Sequence, residues 1–313
     1  MRPFRFGLSA ALASSRRDWQ DLARRAEAAG FDILHVPDHL TECLPPLAAL
    51  FTAADVTERL HVGTLVINND FRHPVLLARE AATVALLTDG RFELGLGAGH
   101  MKREYDQAGL PFDPAPVRIA RMAESVEIVR RLLDGEELTF PGEHYRIEGH
   151  RISPVPATRP RLLVGGNGDR LLTVAAARAD VVGFTGFNPG RTGGGSAITH
   201  FTAAGLEERI GLVRERAGSR FASLELHALV QYVRFTDDRR RAAEDLAARF
   251  GEGLTVEQVL ESPFLLIGTP EQMADALRER RERFGVSYWT VFARRPDRQL
   301  DLDTFAPVIA ALR

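Results

Sequence analysis

Hydrophobic and polar positions along this chain alternate between two periods. Short, nearly continuous apolar runs stand at residues 4–9, 31–36, 61–67, 92–96, 161–165, 180–184, 224–235 and 288–293. Runs of this length, bounded by Gly, Pro, Asn or Asp, predict strands buried on both faces. Between them, apolar residues recur at helical spacing. Trp19, Leu22, Ala23, Ala26 and Ala29 lead to a capping Gly30, and His73-Pro74 opens a helix bearing Leu76, Leu77, Ala81, Val84 and Leu87. Further helices are predicted over 45–56, 119–133, 171–176, 203–217, 237–250 and 303–312, and one starts at Thr269-Pro270, an N-cap followed by an N1 proline. Strand and helix alternate to the end of the chain with eight strand candidates, so closure is favoured over an open sheet. The expectation is one α/β domain over 1–313, a (β/α)8 TIM barrel. Insertions interrupt it at about 101–116, 136–160 and 184–202. The second should hold a small hairpin around Phe140, Tyr145 and Ile147, and the third is Gly-rich without periodicity.

Composition narrows the class. Apolar residues make up 45% and charged ones 26%, the balance of a soluble globular protein. A net charge of −2 speaks against general nucleic-acid or anionic-membrane binding. Cys43 is the single cysteine, so an intrachain disulfide and a thiolate metal cluster are excluded and a reducing cytoplasm is expected. No run of about 18 apolar residues predicts a membrane span. The apolar core of the first residues is too short for a secretory signal.

Ligand chemistry in parallel α/β folds collects at the carboxyl ends of the strands, so the residues just past each run are the candidates. Strand two is followed by Asp38-His39, where a carboxylate beside an imidazole can bias its tautomer for proton transfer. The plainer alternative is an N-cap Asp next to a surface His. Strand three runs out into Asn68. Strand four ends in alternating Gly95, Gly97 and Gly99, with Ala98 between, His100 next and Glu104 beyond. These glycines permit close backbone approach to a flat ring or phosphate, or merely serve a barrel corner. Strand five ends in Gly165, Gly166, Asn167 and Gly168 before a helix, an anion-binding turn or an ordinary one. No dinucleotide fingerprint, NTP-binding loop, zinc motif or nucleophile elbow occurs, and no histidine spacing suits a metal.

The segments LHVGTLVINNDFRHPVLLAREAAT, DGRFELGLGAG and LLVGGNGDRLLTVAAARADVVGF, together with VPDH, closely resemble the luciferase-like monooxygenase superfamily, nearest to its coenzyme F420-dependent oxidoreductases. The resemblance covers residues 3–185 and, more loosely, the rest through GTPEQMADAL. It implies a bacterial luciferase-like barrel, commonly a homodimer, holding a flavin or deazaflavin at the carboxyl end of the strands. Asp38-His39 then matches the pair beside the deazaflavin ring, with His39 handling the proton. Leu65-Val66 matches a third-strand bulge with a non-prolyl cis peptide behind the ring. Gly97, Ala98 and Gly99 match the glycine-rich end of strand four, and Gly165 to Gly168 the segment that binds the cofactor's phosphate. His100 stands where similar sugar-phosphate dehydrogenases carry glutamate, so their acid role does not transfer. It remains a candidate to share proton handling with His39. Ala85 departs from the family's usual Asp, at a helix position where packing alone should respond. The implied activity is hydride exchange between F420 and a small organic substrate. The rival within the family is an FMN-dependent monooxygenase using reduced flavin, O2 and a partner reductase, because one barrel hosts both. A cofactor-binding barrel without turnover is the rival from another class. Substrate determinants are expected in 184–202, 136–160 and 101–105, the segments most free to vary.

Overall fold

The computed structural model describes residues 1–186, 200–250, 253–295 and 298–313, and two-residue strands at Asn188–Pro189 and Ser196–Ala197. Eight parallel strands form a closed barrel: β1 Arg5–Ser9, β2 Ile33–Val36, β3 His61–Thr64, β4 Phe92–Gly97, β5 Arg161–Gly165, β6 Val181–Phe184, β7 Glu225–Leu229 and β8 Tyr288–Phe292. Each pairs with the next, β8 returns to β1, and Val62 opposite Phe92 joins β3 to β4. Around them run α1 Arg16–Ala28, α2 Pro46–Ala54, α3 Pro74–Leu87, α4 Lys102–Ala108, α5 Ala115–Leu133, α6 Asp169–Arg178, α7 Ala203–Ala217, α8 Arg239–Phe250, α9 Val256–Glu261, α10 Pro270–Phe284 and α11 Leu302–Ala310. Thr269 caps α10 in a capping box with Gln272, as its placement before Pro270 predicts.

Three predicted elements are redrawn. The run 61–67 breaks after Thr64: the Leu65–Val66 bond is cis, and Ile67–Asn68 resumes pairing beside Leu96 and Gly97. Across the break the Thr64 hydroxyl replaces the missing ladder, accepting from Gly95 N at 2.8 Å and donating to Gly95 O at 2.9 Å. A Cβ on Gly95 would lie 2.1 Å from Thr64 O, so this pairing requires glycine. The run 224–235 also divides. After β7 the chain leaves the barrel, and Tyr232–Phe235 pairs in parallel with Leu265–Gly268. That last strand is unpredicted, because four apolar residues between two helices do not stand out as a period. The irregular stretch 101–116 contains α4, whereas the hairpin in 136–160 forms as expected from Leu138–Pro141 and Arg146–His150. Within the Gly-rich stretch 184–202, residues 187, 190–195 and 198–199 lie outside the described residues.

The barrel interior is polar at mid-height. His35 and His227 lie there fully buried, and Gly7, Gly63 and Gly183 leave them room. A Cβ on Gly7 would meet His35 Nδ1 at 2.9 Å and one on Gly183 would meet His227 Nδ1 at 3.2 Å. The contacts form a chain: His227 Nε2 to Thr290 Oγ1 at 2.8 Å, Thr290 Oγ1 to His35 Nδ1 at 3.3 Å, His35 Nε2 to Tyr288 OH at 2.9 Å, and Tyr288 OH to Glu93 Oε1 at 2.9 Å. An ionised carboxylate only accepts, so Tyr288 donates to Glu93 and must accept from His35 Nε2–H. The direction then propagates: Thr290 donates to His35 Nδ1 and accepts from His227 Nε2–H. Arg5 closes the floor by donating to Glu93 at 3.3 Å and Glu225 at 2.7 Å. Burial pushes His227 down to about 3 and lowers His35 as well. Burial opposes ionisation of Glu93, but hydrogen bonding from the His35 side and the Arg5 charge hold it far below the carboxylate range.

Candidate active site

The carboxyl ends of β2 to β5 build one rim. His39, just past β2, faces Glu104 from the first turn of α4: its Nδ1 lies 3.0 Å from one carboxylate oxygen and 3.2 Å from the other. Glu104 is 2% exposed and His39 32%, so the ring bridges a buried anion and the open mouth. Thr41 donates to Glu104 Oε1 at 3.2 Å. The solvent-facing His100 ring stands edge-on to His39, with centroids 5.6 Å apart. Partial burial and then the adjacent His39 lower the pKa of His100. The two histidines expected to share proton handling are therefore neighbours.

Asp38 is not the carboxylate that orients His39, contrary to the reading from adjacency. It is buried and turned the other way, accepting from Asn68 N at 3.1 Å and from both terminal nitrogens of Arg72. The two neighbours, just past the end of β2, therefore serve different partners, Asp38 the Arg72 side and His39 Glu104. Asn68 continues the network. Its Oδ1 accepts from Asp70 N at 3.2 Å and from Tyr105 OH at 2.9 Å, and Arg121 holds Asp70 at 2.9 Å. The bulge at Leu65 and Val66 is thereby tied to α4 and α5.

The glycines of strand four belong to the same construction. A Cβ on Gly97 would strike Val66 Cγ2 at 2.5 Å. Gly99 has φ +71°, and a Cβ there would lie 2.1 Å from the Tyr105 hydroxyl and 2.7 Å from Asn68 Oδ1. Arg118, buried on α5, donates Nε to Ala98 O at 3.1 Å and Nη2 to Gly99 O at 3.3 Å, with its guanidinium over the Phe112 ring. Because N–H and C=O point oppositely across a trans peptide, Arg118 turns the Gly99 and His100 amides away from α5. On sequence alone Arg118 reads as one more helix-surface arginine, and no periodicity marks it.

Strand five closes the rim. A Cβ on Gly165 would approach Val66 Cγ1 at 3.5 Å, so β3, β4 and β5 meet at this valine. Gly166 has φ +154°, beyond most side chains, and Gly168 is the N-cap of α6 without a side-chain capping bond. Among the described residues no side chain caps the first amides of α6, which lie beside a cleft lined by Ala115, Pro116, Ile119 and Asp169. Asp169 in this turn is neutralised by Arg209, which also reaches Asn167 O at 3.4 Å. Asn167 is 3% exposed and its Oδ1 accepts from Thr185 N at 3.3 Å, which sets the turn. Among the described residues no cluster of His, Cys, Asp and Glu suits a metal ion.

The sequence profile of luciferase-like monooxygenases matches residues 2–258. The chain belongs to the luciferase-like monooxygenase family. One member, the F420-dependent glucose-6-phosphate dehydrogenase of Nakamurella multipartita, is 32% identical over 268 residues, 82% of this chain and 74% of its own. Among solved structures, an F420-dependent secondary alcohol dehydrogenase in complex with an F420-acetone adduct superposes with a TM-score of 0.77 at 21% identity, covering 100% of both chains. The coenzyme F420 dependent tetrahydromethanopterin reductase from Methanopyrus kandleri gives 0.76 at 19% identity over 99% of this chain and 98% of its own. A monooxygenase from Streptomyces bottropensis gives 0.73 at 20% identity over 98% and 97%. At these identities the structures establish the luciferase-like barrel alone.

Proposed function

We propose that this chain is a coenzyme F420-dependent oxidoreductase that exchanges hydride with a small organic substrate. The observation that carries this reading is the meeting of His39, the Leu65–Val66 bulge and the Gly97 to Gly99 backbone on one rim, with uncapped helix amides at Gly168 a short way round. The site fits a flat ring with an anionic tail. Glycine at 97 and 99 lets this strand end close against Val66, Tyr105 and Asn68, and the ring is taken to lie on the other side of that backbone. The α6 amides suit the tail's phosphate. When bound, the deazaflavin supplies the hydride-transferring carbon. His39 carries the accompanying proton on Nε2, and His100 lines the same opening. The similarity to a sequence relative named as F420-dependent favours F420 over FMN.

Fluorescence titration of the purified protein with F420 and with FMN tests the proposal. Micromolar or tighter F420 binding with weak FMN binding is expected. Tight FMN binding without F420 binding would replace the proposal by a flavin-dependent monooxygenase that needs a reductase. The protein also works as a homodimer in this reading. Uncharged α2 packs beside α3, and together they expose Phe51, Leu76, Leu86 and Leu87 at 38%, 51%, 54% and 58%. Sedimentation should give a dimer that Leu76→Glu with Leu87→Glu converts to monomer.

A further inference from the structure

The structure assigns to Glu104 the task of fixing the tautomer and aim of His39. It is a positioning residue supplied by the insertion after strand four, with Thr41 as its own support. The inference rests on the proton-carrying role given to His39 above. Three observations lead to it. The first is elimination: Asp38, the carboxylate adjacent in sequence, is occupied by Arg72 and by Asn68 N. The second is geometry. Both Glu104 oxygens lie within 3.2 Å of His39 Nδ1, and a carboxylate with a buried side chain can only accept, so Nδ1 bears the hydrogen. The third is anchorage. Tyr105, the next residue, is fully buried and donates to Asn68 at 2.9 Å and Asp70 at 3.0 Å, so the helix that carries Glu104 is pinned to the bulge.

The consequence concerns the other nitrogen. Free histidine in water prefers the Nε2–H tautomer, which would point a hydrogen at the mouth. With Nδ1–H held by Glu104, the neutral ring presents an Nε2 lone pair there, and Nε2 has no partner among the described residues. Were the substrate an alcohol, F420 would supply the hydride acceptor for its carbon, and the His39 Nε2 lone pair would take its hydroxyl proton as the C–O bond became a carbonyl. In the reverse direction the imidazolium Nε2–H would give that proton to the carbonyl oxygen while the bound cofactor supplied hydride to the carbon. Both directions need the same ring orientation, and Glu104 enforces it without touching substrate.

Long-range 1H–15N NMR of the cofactor-free protein, with His39 assigned by its loss in His39→Gln, reads the tautomer directly. The neutral wild-type ring should show Nδ1 protonated and Nε2 bare. Glu104→Ala should invert this pattern, whereas Glu104→Gln, which keeps an accepting oxygen, should preserve it. With F420 and a turned-over substrate, Glu104→Ala should lower kcat by about 10- to 100-fold with KM nearly unchanged, and Glu104→Gln should recover most of the loss. An Nε2–H tautomer in the wild type overturns the assignment, as does a Glu104→Ala variant that keeps Nδ1–H. Should Glu104→Ala not fold, the wild-type spectrum still decides. Because the spectrum needs no cofactor, failure to bind F420 would defeat the proposed function and leave the tautomer result standing.

Discussion

The guanidinium of Arg72 spans the buried carboxylate of Asp38, with Nη2 3.3 Å from Oδ1 and Nη1 on Oδ2. The pair joins the end of β2 to the turn after the Leu65–Val66 bulge, and Asn68 N completes the carboxylate's partners. Arg72→Ala would leave a carboxylate with 5% side-chain exposure without its cation, and about 3 kcal/mol of stability should be lost. Urea unfolding measures the loss. Adding Asp38→Asn to that variant removes the stranded charge and should restore part of it.

His39→Gln removes an imidazole that a buried carboxylate holds at the mouth of this rim. Turnover should fall by about 10²- to 10³-fold. F420 affinity, read by fluorescence, should stay within roughly threefold, because general acid–base work is separable from ring binding. Unchanged turnover would remove His39 from the mechanism.

Arg118 offers a test of how the glycine-rich end of strand four is held. Arg118→Ala abandons the carbonyls of Ala98 and Gly99 in a buried setting, at about 1–3 kcal/mol for each. It also frees the peptides of Gly99 and His100 to turn. F420 affinity should drop by at least about tenfold, and thermal unfolding should shift to lower temperature. Arg118→Lys keeps the charge but cannot span two carbonyls, so it should rescue only in part.

Gly99→Ala should be among the worst single-methyl changes in the chain. The residue has φ +71°, and the new Cβ would meet the Tyr105 hydroxyl at 2.1 Å. Backbone strain alone costs about 1–3 kcal/mol, and displacement of Tyr105 adds to it. Because Tyr105 anchors α4, the variant should also disturb Glu104. A crystal structure or the His39 NMR signal would reveal this.

Stability should fall in acid because of the buried histidines. His35 and His227 have lowered pKa values in the folded protein, so between the ordinary value of 6.5 and the lowered one the unfolded chain binds more protons. Unfolding free energy therefore rises with pH in that window and is fully present above it. As pH drops from 6.5 toward the value of about 3 for His227, that residue contributes a loss of at most roughly 5 kcal/mol. Urea titrations at stepped pH should show this slope. His227→Asn should flatten it, even if it lowers stability at neutral pH.

Much of this protein was legible in its linear order. Buried parallel strands are apolar on both faces, so the eight runs and the helices between them announce a barrel without any long-range information. The rule that chemistry gathers at carboxyl ends then singled out His39, Asn68, Gly97 to His100 and Gly165 to Gly168. All of these lie on the expected rim. What the sequence could not determine was which group faces which. Adjacency suggested Asp38 as the partner of His39, but the fold brings Arg72 to Asp38 and Glu104, 65 positions away, to His39. Arg118 and Tyr105 lie on helices whose periodicity reports burial and says nothing of the carbonyl or hydroxyl across the contact. The departure of Tyr232–Phe235 from the barrel escaped for the same reason, since an apolar run does not say which strand it joins. Local pattern is set by solvent exposure, which each residue carries in its own chemistry. Pairing is set by closure of the barrel, which only the folded chain decides.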